Sequence, residues 1–172
     1  MNEHSERSKV RITKSDLKRL ADLALDDLKS LFSRKKETGH LYQDRLFAIA
    51  LCQGAALHYV DGKNGVKDFD VWCFFRANPA RPFPYRRNGT ADFGSAKFGK
   101  SPGWEHLFGR RVDFLGRSLD VPTAVDPVLA LRSYLSDGKT ESARQLAAKA
   151  MVLIWPTEKL GMVVWGAQNE LA

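Results

Sequence analysis

The chain has 172 residues, 44% of them hydrophobic, with a formal net charge of +7 and only two cysteines, Cys52 and Cys73. That length suits one domain with a substantial core. No apolar run approaches membrane-spanning length, and the N-terminus Met1-Asn2-Glu3-His4-Ser5-Glu6 lacks a signal-peptide core, so the expectation is a cytoplasmic protein with no membrane partner. Both cysteines sit in apolar runs, which fits reduced core residues and argues against a disulfide framework or a sulfur-ligated metal, while the positive balance points to an anionic partner.

Taken in chain order, residues 1–14 are polar and charged and are expected to form a flexible N-terminus, followed by a single domain over 15–172. Ser15 is a plausible N-cap for a helix in which Leu17, Leu20, Ala21, Ala24, Leu28, Leu31 and Phe32 recur at three- and four-residue spacing, laying an apolar stripe on a sheet. Residues 34–40 read as a basic connection. The run Arg45-Leu46-Phe47-Ala48-Ile49-Ala50-Leu51-Cys52 reads as a buried strand or the end of a helix, with a strand favoured in its C-terminal half because Gly54 then turns the chain into a short helix beginning over Ala55–Tyr59. Asp61-Gly62-Lys63-Asn64-Gly65 is a turn signal before a second strand, Val71-Trp72-Cys73-Phe74-Phe75. Residues 78–103 hold most of the prolines and many glycines and read as a long loop or loose hairpin. Arg111–Leu115 resumes as a strand. Asp126-Pro127 has the N-cap and first-turn pattern of a helix ending at Gly138, and a second helix is expected from Thr140 through Ile154 until Pro156 halts it. The run from Leu160 to Trp165 could add one more strand.

The pattern that carries chemistry is Lys67-Asp68-Phe69-Asp70 at the head of the second strand. Two acids one residue apart on a strand point to the same face, where they suit a hard cation such as Mg2+, which takes oxygen ligands and keeps some of its waters. Asp113, inside the strand-like Arg110-Arg111-Val112-Asp113, supplies a third acid. Three clustered carboxylates repel one another unless a cation is present. Gly54, at the start of a helix, lets a phosphate approach backbone N–H groups. Asp113 could instead neutralise Arg110 or Arg111 in a surface ion pair. Asp61-Gly62-Lys63 has the spelling of a nuclease motif, but its glycine and the following Asn64-Gly65 mark it as a turn. His58 and His106 read as packed or surface residues.

The order of strand, glycine turn, short helix, acid pair and later third acid resembles the nucleotidyltransferase superfamily, which includes DNA polymerase beta, aminoglycoside nucleotidyltransferases and small transferases of toxin-antitoxin systems. The resemblance spans residues 46–116, and Gly54-Ala55-Ala56-Leu57-His58 with Lys67-Asp68-Phe69-Asp70 looks most like the transferases of the antitoxin type. It implies an α/β (α+β) fold, a mixed β-sheet flanked by helices with further helices toward the C-terminus. It also implies transfer of a nucleoside monophosphate from a nucleoside triphosphate to an acceptor hydroxyl with release of pyrophosphate. By that resemblance Asp68, Asp70 and Asp113 are the catalytic and metal-binding acids, holding one or two Mg2+ ions. Gly54, Ala55, Lys67, Arg110 and Arg111 would contact the substrate. Ala55 stands where the family has serine or glycine, which removes one phosphate contact worth about 0.5 to 1.5 kcal/mol. The acceptor is left open between nucleic acid and protein.

A reading of a different class is a non-catalytic binding protein of the same fold. Residues 76–117 carry nine Lys or Arg against Asp92, Glu105 and Asp113, interleaved with Phe83, Tyr85, Phe93, Phe98, Trp104 and Phe108. Such a segment could hold nucleic acid, with rings for stacking on bases, or a protein partner. In that case binding would be salt-sensitive, would survive loss of the acid pair and would weaken when Arg86 and Arg87 are neutralised.

Overall fold

The computed structural model of the protein describes residues 6–83 and 89–166. A long helix α1 (Lys14–Arg34) and a short α2 (Lys36–Tyr42) precede strand β1 (Leu46–Cys52), helix α3 (Gln53–Asp61) and strand β2 (Phe69–Arg76). Then come β3 (Gly89–Asp92), β4 (Arg111–Leu119), α4 (Pro127–Asp137), α5 (Glu141–Ala147), β5 (Met151–Trp155) and β6 (Val163–Trp165). The six strands form one mixed sheet in the order β3-β4-β2-β1-β5-β6. Only β2 and β4 run parallel; every other neighbouring pair is antiparallel. The α+β architecture expected from the sequence is therefore present. Among the described residues, no helix is long and apolar enough to cross a membrane.

The sheet is covered on both faces, which explains why β1 and β2 read as unbroken apolar runs rather than alternating ones. One face packs Ile49, Leu51, Phe69, Val71, Cys73, Phe75 and Phe114 under α1, α2 and α3, with Leu17, Leu20, Ala24 and Leu28 supplying the α1 stripe. The other packs Ala48, Ala50, Cys52, Trp72, Phe74, Met151 and Leu153 under α4 and α5. Cys52 and Cys73 are both buried free thiols, and they belong to opposite faces.

Several boundaries differ from the sequence reading for physical reasons. The N-cap of α1 is Thr13, whose side chain accepts from the Asp16 N–H while the Asp16 carboxylate accepts from the Thr13 N–H at 2.8 Å, a reciprocal capping box. Residues 6–13, expected to be frayed, are tied down: Ile12 is buried, and Ser8 exchanges two backbone hydrogen bonds with Val66 at 2.9 and 2.7 Å. The basic connection after α1 is instead α2, in which Gly39 lies against Phe32; a Cβ at this position would come within 2.8 Å of the Phe32 Cβ. The helix expected through Ile154 stops at Ala147, and Met151–Trp155 forms β5. Its apolar residues fit a helical period by coincidence, while pairing with β1 buries both faces of the segment, a tertiary gain that local periodicity cannot register. The helix from Asp126-Pro127 to Gly138 forms as the sequence indicates, with the Asp126 carboxylate accepting from Val128 and Leu129 and Gly138 at φ 56°.

Candidate functional site

The acids meet because of strand register. Across the sheet, Met151, Cys52, Asp70, Asp113 and Thr90 are successive pairing partners on β5, β1, β2, β4 and β3. Neighbouring strands lie about 4.8 Å apart, so Asp70 and Asp113 stand side by side and project from one face, the face that carries Trp72 and Phe74 further along β2. Asp68, two residues before Asp70, precedes the first residue of β2. Its Oδ1 is buried and accepts no hydrogen bond from the described residues. The register sets Asp113 beside Asp70, while Asp113 is not among the residues lining the cleft that Asp68 and Asp70 share.

Their environments differ. Burial raises the carboxyl of Asp70 to about 6, with repulsion from Asp113 and then Asp68 adding to it and the cations Arg111 and Lys149 opposing it. The same desolvation, with Asp70 beside it, holds the Cys52 thiol well above its ordinary range, so Cys52 is a packed neutral group. Asp113 is held by its own strand: Arg111 donates from Nε at 3.0 Å and Nη2 at 2.6 Å to Oδ2, while the Thr90 hydroxyl donates to Oδ1 at 3.3 Å. The ion pair weighed for Asp113 thus exists with Arg111, whose guanidinium also lies over the Trp104 ring at 4.6 Å.

A cleft of about 240 Å³ opens beside the acid pair and is lined by Arg7, Gln53, Gly54, Ala55, Lys67, Asp68, Asp70 and Lys149. Helix α3 enters it by its N-terminus, with no side chain capping the first turn, so the N–H groups and the positive end of the helix face the cleft. Gly54 keeps that entrance open: a Cβ there would meet the Asn64 amide at 3.0 Å and the Arg7 guanidinium at 3.4 Å. Gln53, the first residue of α3, has φ 61°, a conformation that costs a non-glycine residue about 1 to 3 kcal/mol and that recurs where a turn is shaped for a ligand.

The loop before β2 is held by contacts from far away in sequence. Asn64 donates from Nδ2 to the Gly54 carbonyl at 2.9 Å. His58 is buried, and its Nδ1 accepts from the Gly65 N–H at 2.9 Å while its Nε2 lies 2.9 Å from the Val10 carbonyl. Those two partners require a neutral ring protonated on Nε2. Arg110, expected to offset phosphate charge, is buried and committed to carbonyls instead: Nε donates to Phe98, and Nη1 to Glu6 and Lys67. It anchors the backbone beside Asp68 and does not line the cleft. Arg111 faces Asp113 and Trp104 and also lies outside the cleft lining, so of the expected substrate-contacting residues Gly54, Ala55 and Lys67 are the ones placed there.

Sequence reasoning missed Arg7, Gln53 and Lys149. Arg7 was assigned to a frayed terminus and Lys149 to the middle of a helix, and neither stands in a motif. The basic segment 76–117 offers fewer rings than its composition suggests, because Phe83, Phe93 and Phe98 are buried in the core and Trp104 is covered by Arg111. Phe108 is exposed, while Tyr85, Arg86 and Arg87 lie outside the described residues.

The residues present suit a hard cation in part. Asp68 and Asp70 supply oxygen donors, one of them buried with no hydrogen-bond partner, which is the kind of atom a cation would satisfy. Among the described residues no group of three or more acid, histidine or cysteine side chains is arranged to hold a metal ion, since Asp113 faces Arg111. An ion bound by Asp68 and Asp70 would recruit Asp113 only if the Arg111 contact opened. Comparison with family models, with curated proteins and with solved structures finds no match to this chain, so the functional reading rests on this geometry.

Proposed function

We propose that the protein is a Mg2+-dependent nucleotidyltransferase that moves a nucleoside monophosphate from a nucleoside triphosphate to an acceptor hydroxyl. The observation that carries this reading is the cleft itself. A helix start with a glycine entrance and three cations, Arg7, Lys67 and Lys149, faces a partly buried acid pair across about 240 Å³. Cations and helix amides favour the phosphates, and the acids favour the metal that a triphosphate brings with it. A site for phosphate alone would not place two carboxylates in its wall.

In this reading Arg7, Lys67 and Lys149 hold the β- and γ-phosphates, and the first-turn amides of α3 approach them past Gly54. Asp68 and Asp70 would hold magnesium, which, when bound, offsets charge on the reacting phosphate and on the leaving pyrophosphate. The acceptor oxygen forms a bond to the α-phosphorus as the bond from that phosphorus to the bridging oxygen breaks, and pyrophosphate leaves with the electron pair. The acceptor's proton passes to the Asp113 carboxylate, which stands beside Asp70 on the neighbouring strand and is left outside the Asp68 and Asp70 pair that would hold the ion. Incubation with Mg2+ and labelled nucleoside triphosphates, with Asp68→Ala and Asp70→Ala as controls, tests the assignment. Label transfer and pyrophosphate release should fall at least 100-fold in either variant, and equal transfer by wild type and variants would remove it.

A further inference from the structure

The cations nearest the cleft do not stop at its rim. Arg7 lines the acid cleft at the start of α3, and two and four residues on, Lys9 and Arg11 line a second hollow of about 210 Å³ at the end of that helix together with Tyr59, Val60, Asp61 and Gly62. The segment that carries them is pinned along its length: Ser8 pairs with Val66, the Val10 carbonyl meets His58, Ile12 is buried, and Lys9 Nζ reaches the Lys63 carbonyl. Fully extended, Arg7 to Arg11 would span at most on the order of 13 Å, with a cation at every second position in the chain. The acid in that hollow, Asp61, has its Oδ1 occupied by the N–H groups of Lys63 at 2.7 Å and Asn64 at 3.1 Å, which tempers its opposition to an anion.

We propose that Arg7, Lys9 and Arg11 form a track for the phosphates of a single-stranded polynucleotide whose terminal hydroxyl is the acceptor in the cleft. A free nucleotide needs only the cleft, whereas a regular row of cations leading away from it on a fixed backbone matches a repeating polyanion. Tyr59, half-buried in the wall of the hollow, offers a ring for a base to rest against. A duplex is disfavoured because one row of cations within a narrow hollow addresses one backbone. This inference rests on the transferase reading for the role of the hydroxyl, while the track itself stands on the row of cations.

The test is binding of a fluorescent single-stranded oligonucleotide by anisotropy at 50 and 200 mM salt. Wild type is compared with Lys9→Gln/Arg11→Gln, and with Lys29→Gln/Lys35→Gln as a charge-matched control at the far end of α1. For three phosphate contacts, affinity should fall roughly 20-fold between those salt concentrations in wild type and in the control, but only about threefold in the track variant, which keeps one contact. Magnesium nucleotide binding should be unchanged in the track variant, and transfer of label to the oligonucleotide should show a raised KM with an unchanged kcat. Absence of oligonucleotide binding at 50 mM salt, equal loss in the control variant, or equal affinity for a poly-glutamate peptide of the same charge would overturn the track. Salt-dependent binding that persists in a protein unable to transfer label would leave the track standing and remove the transferase reading.

Discussion

Asp70 is the residue at which the transferase reading makes its sharpest demand on stability. In the folded chain its carboxyl is raised from 3.8 to about 6, mainly by burial and then by Asp113 and Asp68. The sign follows from linkage. A group whose folded pKa lies above its unfolded value supports the fold fully at pH below about 4, and that support is lost as pH rises through about 6. The gap corresponds to about 3 kcal/mol, an order-of-magnitude figure, so above pH 7 the metal-free protein carries a strain of that size at this one site. Asp70→Asn removes the charge and keeps the shape. Urea denaturation in EDTA should therefore find wild type and variant close in stability at about pH 3, with the variant more stable by about 2 to 3 kcal/mol at pH 8. Adding Mg2+ at pH 8 should restore wild type alone, by about 1.4 kcal/mol when the free ion is ten times its Kd. A variant no more stable than wild type at pH 8 would show that Asp70 is not the desolvated carboxylate described here, and the argument for a cation at this site would fail with it.

Asp113→Asn removes the second-largest cause of the Asp70 shift and frees Arg111, so the pH at which the metal-free protein loses stability should move below about 6, measurable in the same denaturation series. Gly54→Val should raise the Kd for a magnesium nucleotide at least tenfold with little loss of melting temperature, because the atoms in its way are side-chain ends, the Asn64 amide and the Arg7 guanidinium. Full retention of nucleotide affinity would place the phosphates elsewhere. His58→Ala should cost about 2 to 3 kcal/mol by orphaning the buried Gly65 N–H and the Val10 carbonyl, and should expose residues 6–12 to protease before the domain unfolds. Gly116→Ala should cost about 1 to 3 kcal/mol, because its Cβ would lie 2.4 Å from the Phe83 ring, with chemical denaturation as the check.

What the sequence makes legible here is whatever depends on local chemistry. The stripe of α1, the Asp126-Pro127 start and Gly138 stop of α4, and the turn at Asp61–Gly65 each follow from side chains acting on their own backbone. That Asp113 lies in a strand follows from its apolar neighbours, whereas its place beside Asp70 rests on the parallel pairing of β2 with β4, a long-range contact no local pattern announces. What was not legible depends on long-range contacts. Met151–Trp155 has an apolar spacing that serves helix or strand equally, and only β1 decides between them. Arg110 looks in sequence like a partner for phosphate, yet three carbonyls from Phe98, Glu6 and Lys67 claim its guanidinium, and no local pattern announces that. Phe83, Phe93 and Phe98 sit in a stretch rich in proline and glycine, where aromatic composition suits a binding surface as well as it suits a core.

The site owes its form to a segment outside the span that carries the family resemblance. The acid pair belongs to β2, but the loop that presents it is clasped from the N-terminus: Ser8 pairs with Val66, His58 joins Val10 to Gly65, and Arg110 ties Glu6 to Lys67. Each clasp bridges the same two segments, residues 6–10 and 65–67, so they are expected to form and break together. The same segment delivers Arg7 into the cleft. Loss of the clasp would therefore remove a phosphate cation and loosen the backbone ahead of Asp68 in a single event. That is why His58→Ala, which touches neither acid nor phosphate, should weaken magnesium nucleotide binding as well as the fold. A chain cut before Ser8 should weaken that binding too, through loss of Arg7, while His58 keeps both its partners. If the His58 variant were destabilised as expected yet bound nucleotide as tightly as wild type at a temperature where both are folded, the N-terminal segment would be a brace alone and the cation set would reduce to Lys67 and Lys149.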